Sequence, residues 1–310
     1  EGFMFYFLEF SFICLIMNKK CMRLFKLKIL LITFFLISTL SIYGQQKLPV
    51  SVDGEIKPIQ ELFDTKLQRL LQSEICSNKK WSRMVDTKKM SIGIVDLSNL
   101  EDIRYAGVND NFMMYAASLP KIAILLAAMD ALEKGEIKDT QKLRKDLKLM
   151  ISKSNNAAST RMIDLLGYEK IEAVLRGGKH RLYDEEVGGG LWVGKRYAAG
   201  GRRYPEPLKG LSHAATTKQV CSFYYQLVVG NLISTERSKQ MLEIMEKPAL
   251  HHKFVNTLDK VAPNADVYRK SGSWKNYHSD SALVWGPKRK YIIVALIDNS
   301  LGEQIIRDLV

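Results

Sequence analysis

Cysteine is scarce in this chain of 310 residues: four in all, with Cys14 and Cys21 in the first segment and only Cys76 and Cys221 beyond it. No pair has zinc-knuckle or C-x-x-C spacing, which argues against a disulfide-built scaffold, a structural zinc and a thiol redox motif. Eight prolines and twenty glycines are too few for a collagen-like or disordered chain. No internal repeat is visible. What remains is ordinary globular composition, 46% hydrophobic and 25% charged, and the length is ample for a core built by apolar burial.

Charge is unbalanced, 46 Lys and Arg against 33 Asp and Glu, a net +13. Residues 1–44 hold five of the bases (Lys19, Lys20, Arg23, Lys26, Lys28) and two of the acids (Glu1, Glu9), so the rest keeps 41 against 31, or +10. A basic surface can attract nucleic acid, anionic lipid or acidic polymer. The positives here are dispersed, with no RNP-like, helix-turn-helix or finger pattern beside them, so nucleic acid is not an expected partner.

From Met22 the chain reads MRLFKLKILLITFFLISTLSIYGQQ. A basic start, an apolar run over 29–40 and a small-residue exit at 41–44 have the order of a secretory signal peptide, with cleavage expected near Gly44. The run is short for an uncleaved span. Residues 1–21 are read as sequence upstream of the true start. The expected organisation is an upstream segment and signal peptide over 1–44, then one exported domain over 45–310. That domain is placed in the periplasm or secreted, as a monomer with no stable membrane insertion.

Within it, apolar spacing predicts a helix over 58–75, strands over 90–97 and 103–108, and an apolar helix over 119–134. Two helical patterns lie in 141–166, the second opened by Ser154-Asn155-Asn156. Residues 176–212 hold nine glycines and read as a long irregular excursion, of the kind usually functional. Helices over 217–229 and 234–245 follow, then strands over 267–270, 281–285 and 291–297 and a last helix over 302–309. Strands at both ends of the domain can pair, which predicts an α+β sandwich: one antiparallel sheet of about five strands with flanking helices, plus an all-helical lobe. The sheet lobe spans about 55–112 and 217–310, the helical lobe about 113–216. A cleft at their junction is the expected site.

Three short motifs could carry chemistry there. Ser118-Leu119-Pro120-Lys121 opens the apolar helix. A serine at a helix start feels the positive end of the dipole, and Lys121, one turn on, is close enough to act on its hydroxyl. A lysine kept neutral by burial is one base able to activate a serine. Ser77-Asn78-Lys79-Lys80 repeats the spacing in a polar, turn-like stretch and reads as chance. Ser154-Asn155-Asn156 offers a hydroxyl for proton transfer and an amide for a substrate carbonyl, although each residue type is also a common helix cap. Lys270-Ser271-Gly272-Ser273 ends a β-like run, with a positive charge, a hydroxyl for a carboxylate and a glycine that lets a substrate approach. The Ser273 and Ser118 N–H groups together would form an oxyanion hole.

In this order the three motifs resemble the penicillin-recognising serine enzymes, the class A β-lactamases and penicillin-binding proteins, from about residue 55 to 310. The resemblance implies that Ser118 is the acylated nucleophile, Lys121 its base partner and Ser154 a proton relay. It implies that Asn156 binds a substrate amide, and that Lys270, Ser271, Gly272 and Ser273 serve the carboxylate and the oxyanion. It also implies no cofactor and no metal, with a β-lactam or a cell-wall peptide as the small-molecule substrate. Two departures stand out. Asn155 replaces the usual aspartate, and no E-x-x-L-N segment, which supplies the water-activating glutamate of class A enzymes, occurs in the Gly-rich excursion. Glu185, Glu186 and Glu206 are the candidate acids for acyl release. His278 and Asp280 read as turn residues, and His213 as a buried structural contact. His251 and His252 are unsuited to a shared metal. Trp192 and Tyr197 could form an aromatic wall over the cleft, although packing the loop down is the commoner role. Cys76 and Cys221 would be free to pair in an oxidising compartment.

Overall fold

In the computed structural model, residues 47–50, 55–178 and 181–310 are described; the expected signal segment and its cleavage point lie outside them. A short 3-10 turn (Ile59–Leu62) is followed by α1 (Thr65–Ser77) and α2 (Lys79–Asp86). The helix expected over 58–75 is therefore broken, because Asp64 caps α1 by accepting from Leu67 N at 2.6 Å. Strands β1 (Met90–Asp96), β2 (Arg104–Val108) and β3 (Met114–Tyr115) lead into α3 (Lys121–Glu133). Then come α4 (Gln141–Ser152), α5 (Asn156–Leu166) and α6 (Tyr168–Arg176). Helix α6 lies outside the expected elements, although Ile171, Val174 and Leu175 bury one face of it.

The Gly-rich excursion contains β4 (Tyr183–Asp184), β5 (Gly189–Gly190) and β6 (Trp192–Val193), and β7 (His213–Ala215) closes it. Helices α7 (Thr217–Val228), α8 (Thr235–Met245) and α9 (Phe254–Val261) precede β8 (Asp266–Trp274), β9 (Tyr277–Trp285), β10 (Lys290–Asp298) and α10 (Gly302–Asp308). Residues Lys47–Val310 form one compact unit.

The main sheet is antiparallel throughout, in the order β2-β1-β10-β9-β8. Both faces are covered, which is why β10 reads as a continuous apolar run rather than an alternation. Ile293, Ala295 and Ile297 join Ile75, Met84, Phe254, Leu258 and Ile306 of α1, α2, α9 and α10. Ile292, Val294 and Leu296 join the larger core of α3 and α7 on the other face. Helix α8, grouped with the sheet lobe in the sequence reading, packs on α3 and α4 as well as on β8. Helix α3 is apolar all round and buried from Lys121 to Ala131, the pattern of a helix enclosed by the protein.

Strands β8 and β9 are longer than expected, and this changes two assignments. Lys270-Ser271-Gly272-Ser273 lies inside β8 rather than at its end, paired through Ser271↔Asp280 and Gly272↔Ser279. His278 and Asp280 are strand residues, not turn residues; the turn is Lys275-Asn276, with Lys275 at φ 51°. Serine, glycine and histidine carry little strand signal of their own, and the ladder supplies what propensity lacks. Cys76 is exposed and Cys221 buried, both as free thiols, so the possible pairing is not formed.

Candidate active site

The chain from Leu119 to Ala123 winds up through i→i−3 bonds, Leu119 N to Ala116 O at 3.1 Å and Lys121 N to Ser118 O at 3.3 Å, into α3. Ala117, immediately before Ser118, is held at φ 51°, a conformation costing a non-glycine residue about 1–3 kcal/mol and concentrated at functional sites. This elbow is fixed from two sides. Ala116 N donates to His213 O of β7 at 2.9 Å, and Ser279 Oγ of β9 donates to Ala116 O at 2.7 Å.

The three motifs converge on the elbow. Lys121 Nζ, fully buried, donates to Ser154 O at 2.7 Å, Ser154 Oγ at 3.3 Å and Asn156 Oδ1 at 2.8 Å. Lys270 Nζ donates to the same Ser154 Oγ at 2.9 Å and to Ser271 O at 2.6 Å. One hydroxyl thus bridges two buried amines, and Ser154 holds that position at φ 53°. Gly272 presses on the segment at Ser118: a Cβ there would collide with Ala116 O, Ser118 N and Ser279 Oγ. Only glycine fits. Asn155 does not enter the cleft; its side chain caps α5 by accepting from Ala158 N at 2.8 Å.

The geometry refines the expected Ser118–Lys121 pairing. The three acceptors of Lys121 are on Ser154 and Asn156, and Ser118 Oγ is not among them. Three acceptors saturate the three protons of an ammonium, whereas burial alone pushes the amine down to about 7. The charged and neutral forms are therefore close to balance at neutral pH. Lys270 is also pushed well below the ordinary lysine value, first by burial and then by the Lys121 charge.

Register also settles the direction of Ser273 N–H. Trp274↔Tyr277 closes a two-residue hairpin on the edge strand β8. Closing pairs of this kind are the ladder-bonded ones, so alternate N–H groups, including those of Ser273 and Ser271, face away from β9.

Two of the candidate acids are bonded elsewhere, and the third lines a different cavity. Glu206, 1% exposed, accepts from Tyr183 Oη, from Leu208 N at 2.8 Å and from Lys209 N at 2.7 Å. Both its oxygens hold the excursion. Glu185 pairs with Arg176 at 2.6 Å. Glu186 lines a separate cavity of about 720 Å³ with Ile59, Arg181, Asp184 and Lys218. None of the three bonds to Ser118, Lys121 or Ser154 among the described residues.

Three contributions go beyond the roles the sequence suggests. Tyr197 does more than pack: its ring lies 4.3 Å from Lys121 Nζ and its hydroxyl donates to Ala117 O at 3.2 Å. Trp192 does pack, stacked on Tyr204 and against Tyr183. The second contributor is Lys253, fully buried at φ 56°, which donates to Gly272 O at 2.5 Å, Ser273 Oγ at 2.8 Å and Ser279 O at 3.0 Å. The third is the buried pair of Arg269 and Asp280, joined at 2.7 and 2.8 Å beneath β8. His213 is buried, its Nε2 beside Lys195 O at 3.0 Å, and burial pushes it down to about 4. His251 pairs with Asp259 and His252 lies against Arg269. No group of three or more metal-ligating side chains occurs among the described residues.

An α+β fold with a serine at a buried helix start, two lysines bridged by one hydroxyl and a K-S-G edge strand has the layout of the penicillin-recognising serine enzymes. The chain belongs to the beta-lactamase enzyme family, whose model matches residues 74–146 and 140–310. Among solved structures, a beta-lactamase from Sphaerobacter thermophilus is similar with a TM-score of 0.59 and 19% identity, over 74% of this chain and 93% of its own. One from Chitinophaga pinensis gives 0.57 and 16%, over 74% and 94%. A mutant of PBP-A, solved as an acyl-enzyme complex with penicillin G, gives 0.59 and 18%, over 82% and 96%. At these identities the likeness is one of fold. Comparison with curated proteins gives no match.

Proposed function

We propose that the chain is an exported serine hydrolase that forms an acyl-enzyme at Ser118 and opens the ring of β-lactams. The observation that carries this reading is the Ser154 hydroxyl shared by Lys121 and Lys270 beside an elbow against which only glycine fits. Neutral Lys121 takes the Ser118 proton as Oγ attacks the lactam carbonyl. The tetrahedral oxyanion is held by Ser118 N–H and Ser273 N–H. On collapse the C–N bond breaks, and the proton passes from Lys121 through Ser154 to the leaving nitrogen. Lys270 and Ser271 hold the substrate carboxylate. Asn156 Oδ1 is occupied by Lys121, which leaves its NH₂ to donate to a substrate amide carbonyl. Export rests on the basic, apolar and small-residue order of 22–44; no helix among the described residues is long and apolar enough to cross a membrane.

The test is nitrocefin turnover read beside the intact mass of the protein after β-lactam exposure. Fast colour with no lasting adduct supports ring hydrolysis. The bonding of Glu185 and Glu206 to residues outside the three motifs, and the place of Glu186 on a different cavity, favour a second reading, slow release, under which a cell-wall D-alanyl-D-alanine peptide or ester is the natural substrate, or the adduct is itself the function. A persistent adduct supports that reading. Neither signal would leave a non-catalytic envelope-ligand binder.

The acids give a separate expectation. Glu185→Ala and Glu186→Ala should leave deacylation rates within about twofold, since surface substitutions away from special features have small effects. Glu206→Ala should lower stability, because it strands two backbone donors. A deacylation rate cut tenfold or more in the Glu185 or Glu186 variant, at unchanged acylation, would restore that acid as the hydrolytic base.

A further inference from the structure

Both amides assigned to the oxyanion have the carbonyl of their own peptide unit capped by a side chain from outside the three motifs. Ser273 N–H shares a peptide with Gly272 O, which accepts Lys253 Nζ at 2.5 Å. Ser118 N–H shares one with Ala117 O, which accepts Tyr197 Oη at 3.2 Å. A peptide is a conjugated unit, so a donor on its oxygen draws electron density from nitrogen and makes the N–H a stronger donor in turn. A charged donor does this about twice as strongly as a neutral one, and a low-dielectric setting amplifies it. Lys253 is fully buried, and its three acceptors, Gly272 O, Ser273 Oγ and Ser279 O, all lie on the β8–β9 hairpin. It is held there in the left-handed region at φ 56°. Beside it the Arg269 and Asp280 charges are joined to each other and leave the ammonium to the hairpin.

We propose that Lys253 is a positioning residue that polarises the Gly272–Ser273 peptide and so strengthens the Ser273 oxyanion donor, and that Tyr197 does the same, more weakly, for Ser118 N–H. The inference rests on the acyl-enzyme reading above.

The experiment compares the full-length protein with Lys253→Gln, which keeps a donor without its charge, Lys253→Arg, which keeps the charge, and Tyr197→Phe. Two quantities are read with a slowly released, carbon-13-labelled β-lactam: the acylation kinetics, and the infrared stretch of the acyl-enzyme ester carbonyl, which rises when oxyanion donors weaken. Lys253→Gln should lower the acylation rate constant about 10- to 100-fold with little change in ground-state affinity, less than the roughly 10²–10³-fold cost of losing a donor outright. The carbonyl stretch should move to higher wavenumber. Lys253→Arg should recover most of both, and Tyr197→Phe should give a smaller shift of the same sign. A Lys253→Gln variant with wild-type rate and stretch would overturn the inference while the wild-type adduct still upheld the acyl-enzyme reading. A wild type with neither nitrocefin turnover nor a Ser118 adduct would overturn both. If Lys253→Gln does not fold, Tyr197→Phe carries the test, and an unmoved stretch there counts against the proposal.

Discussion

Ser118→Ala and Lys121→Met are each expected to cut β-lactam acylation by about 10⁴-fold or more, with the double variant no worse than either, because a nucleophile and its base act as one unit. The wild-type rate should also carry a signature that the variants lack. In the proposed mechanism attack requires Lys121 as the free amine, and burial brings that amine down to about 7. Below pH 7 the protonated form dominates and acylation slows about tenfold per pH unit; above it the rate levels off. An ordinary lysine would place that plateau beyond pH 10. Adduct formation followed by mass between about pH 5 and 9 gives the profile. A Lys121→Met variant that kept the wild-type rate and inflection would remove Lys121 from the mechanism.

Asp280→Ala is expected to destabilise the fold by about 3–5 kcal/mol, the usual result of leaving one member of a buried ion pair alone. Arg269 is 2% exposed and Asp280 fully buried. The Asp280 carboxylate also accepts from Phe254 N at 3.2 Å and Ser281 N at 3.0 Å, so the variant removes an acceptor from two backbone donors as well. Its loss further leaves Arg269 without its carboxylate partner, beside the buried amines of Lys253 and Lys270. At about 2–4 °C per kcal/mol for a domain of this size, the melting temperature should fall by roughly 10 °C. Replacing both partners by apolar residues should recover much of the loss. Chemical denaturation of the single and double variants decides the matter; equal stability of Asp280→Ala and wild type would show that the pair contributes nothing.

Residues whose local spacing carries a strong signal were legible in the sequence. Ser118 and Lys121 stand on an apolar run no solvent-facing helix would have, and the strands over 90–97 and 291–297 announce themselves by β-branched content. Lys253 was not legible. It sits in His251-His252-Lys253, a polar stretch whose ordinary fate is solvent, and only the pairing of β8 with β9 sets Gly272 O above its amine. Arg269 and Asp280 are eleven residues apart and meet through the same register. Tyr197 lies in a stretch that local pattern leaves undefined. Its place over Lys121 follows from the tertiary anchoring of the excursion, where Tyr204 N donates to Gly194 O at 2.7 Å and a Cβ on Gly194 would strike Tyr204 O. Helix α6 is the opposite case, since its spacing was present and only its position, against the glycine run, concealed it.

The small sheet β3-β7-β6 joins the end of the Gly-rich excursion to the residues just ahead of Ser118, with His213 O receiving Ala116 N. The excursion is thus part of the mounting of Ser118 rather than a detachable cover. Transplanting a water-activating loop from a class A enzyme would have to carry over this seam at 213–215 intact, or the graft would install a new acid while unseating the serine it was meant to serve.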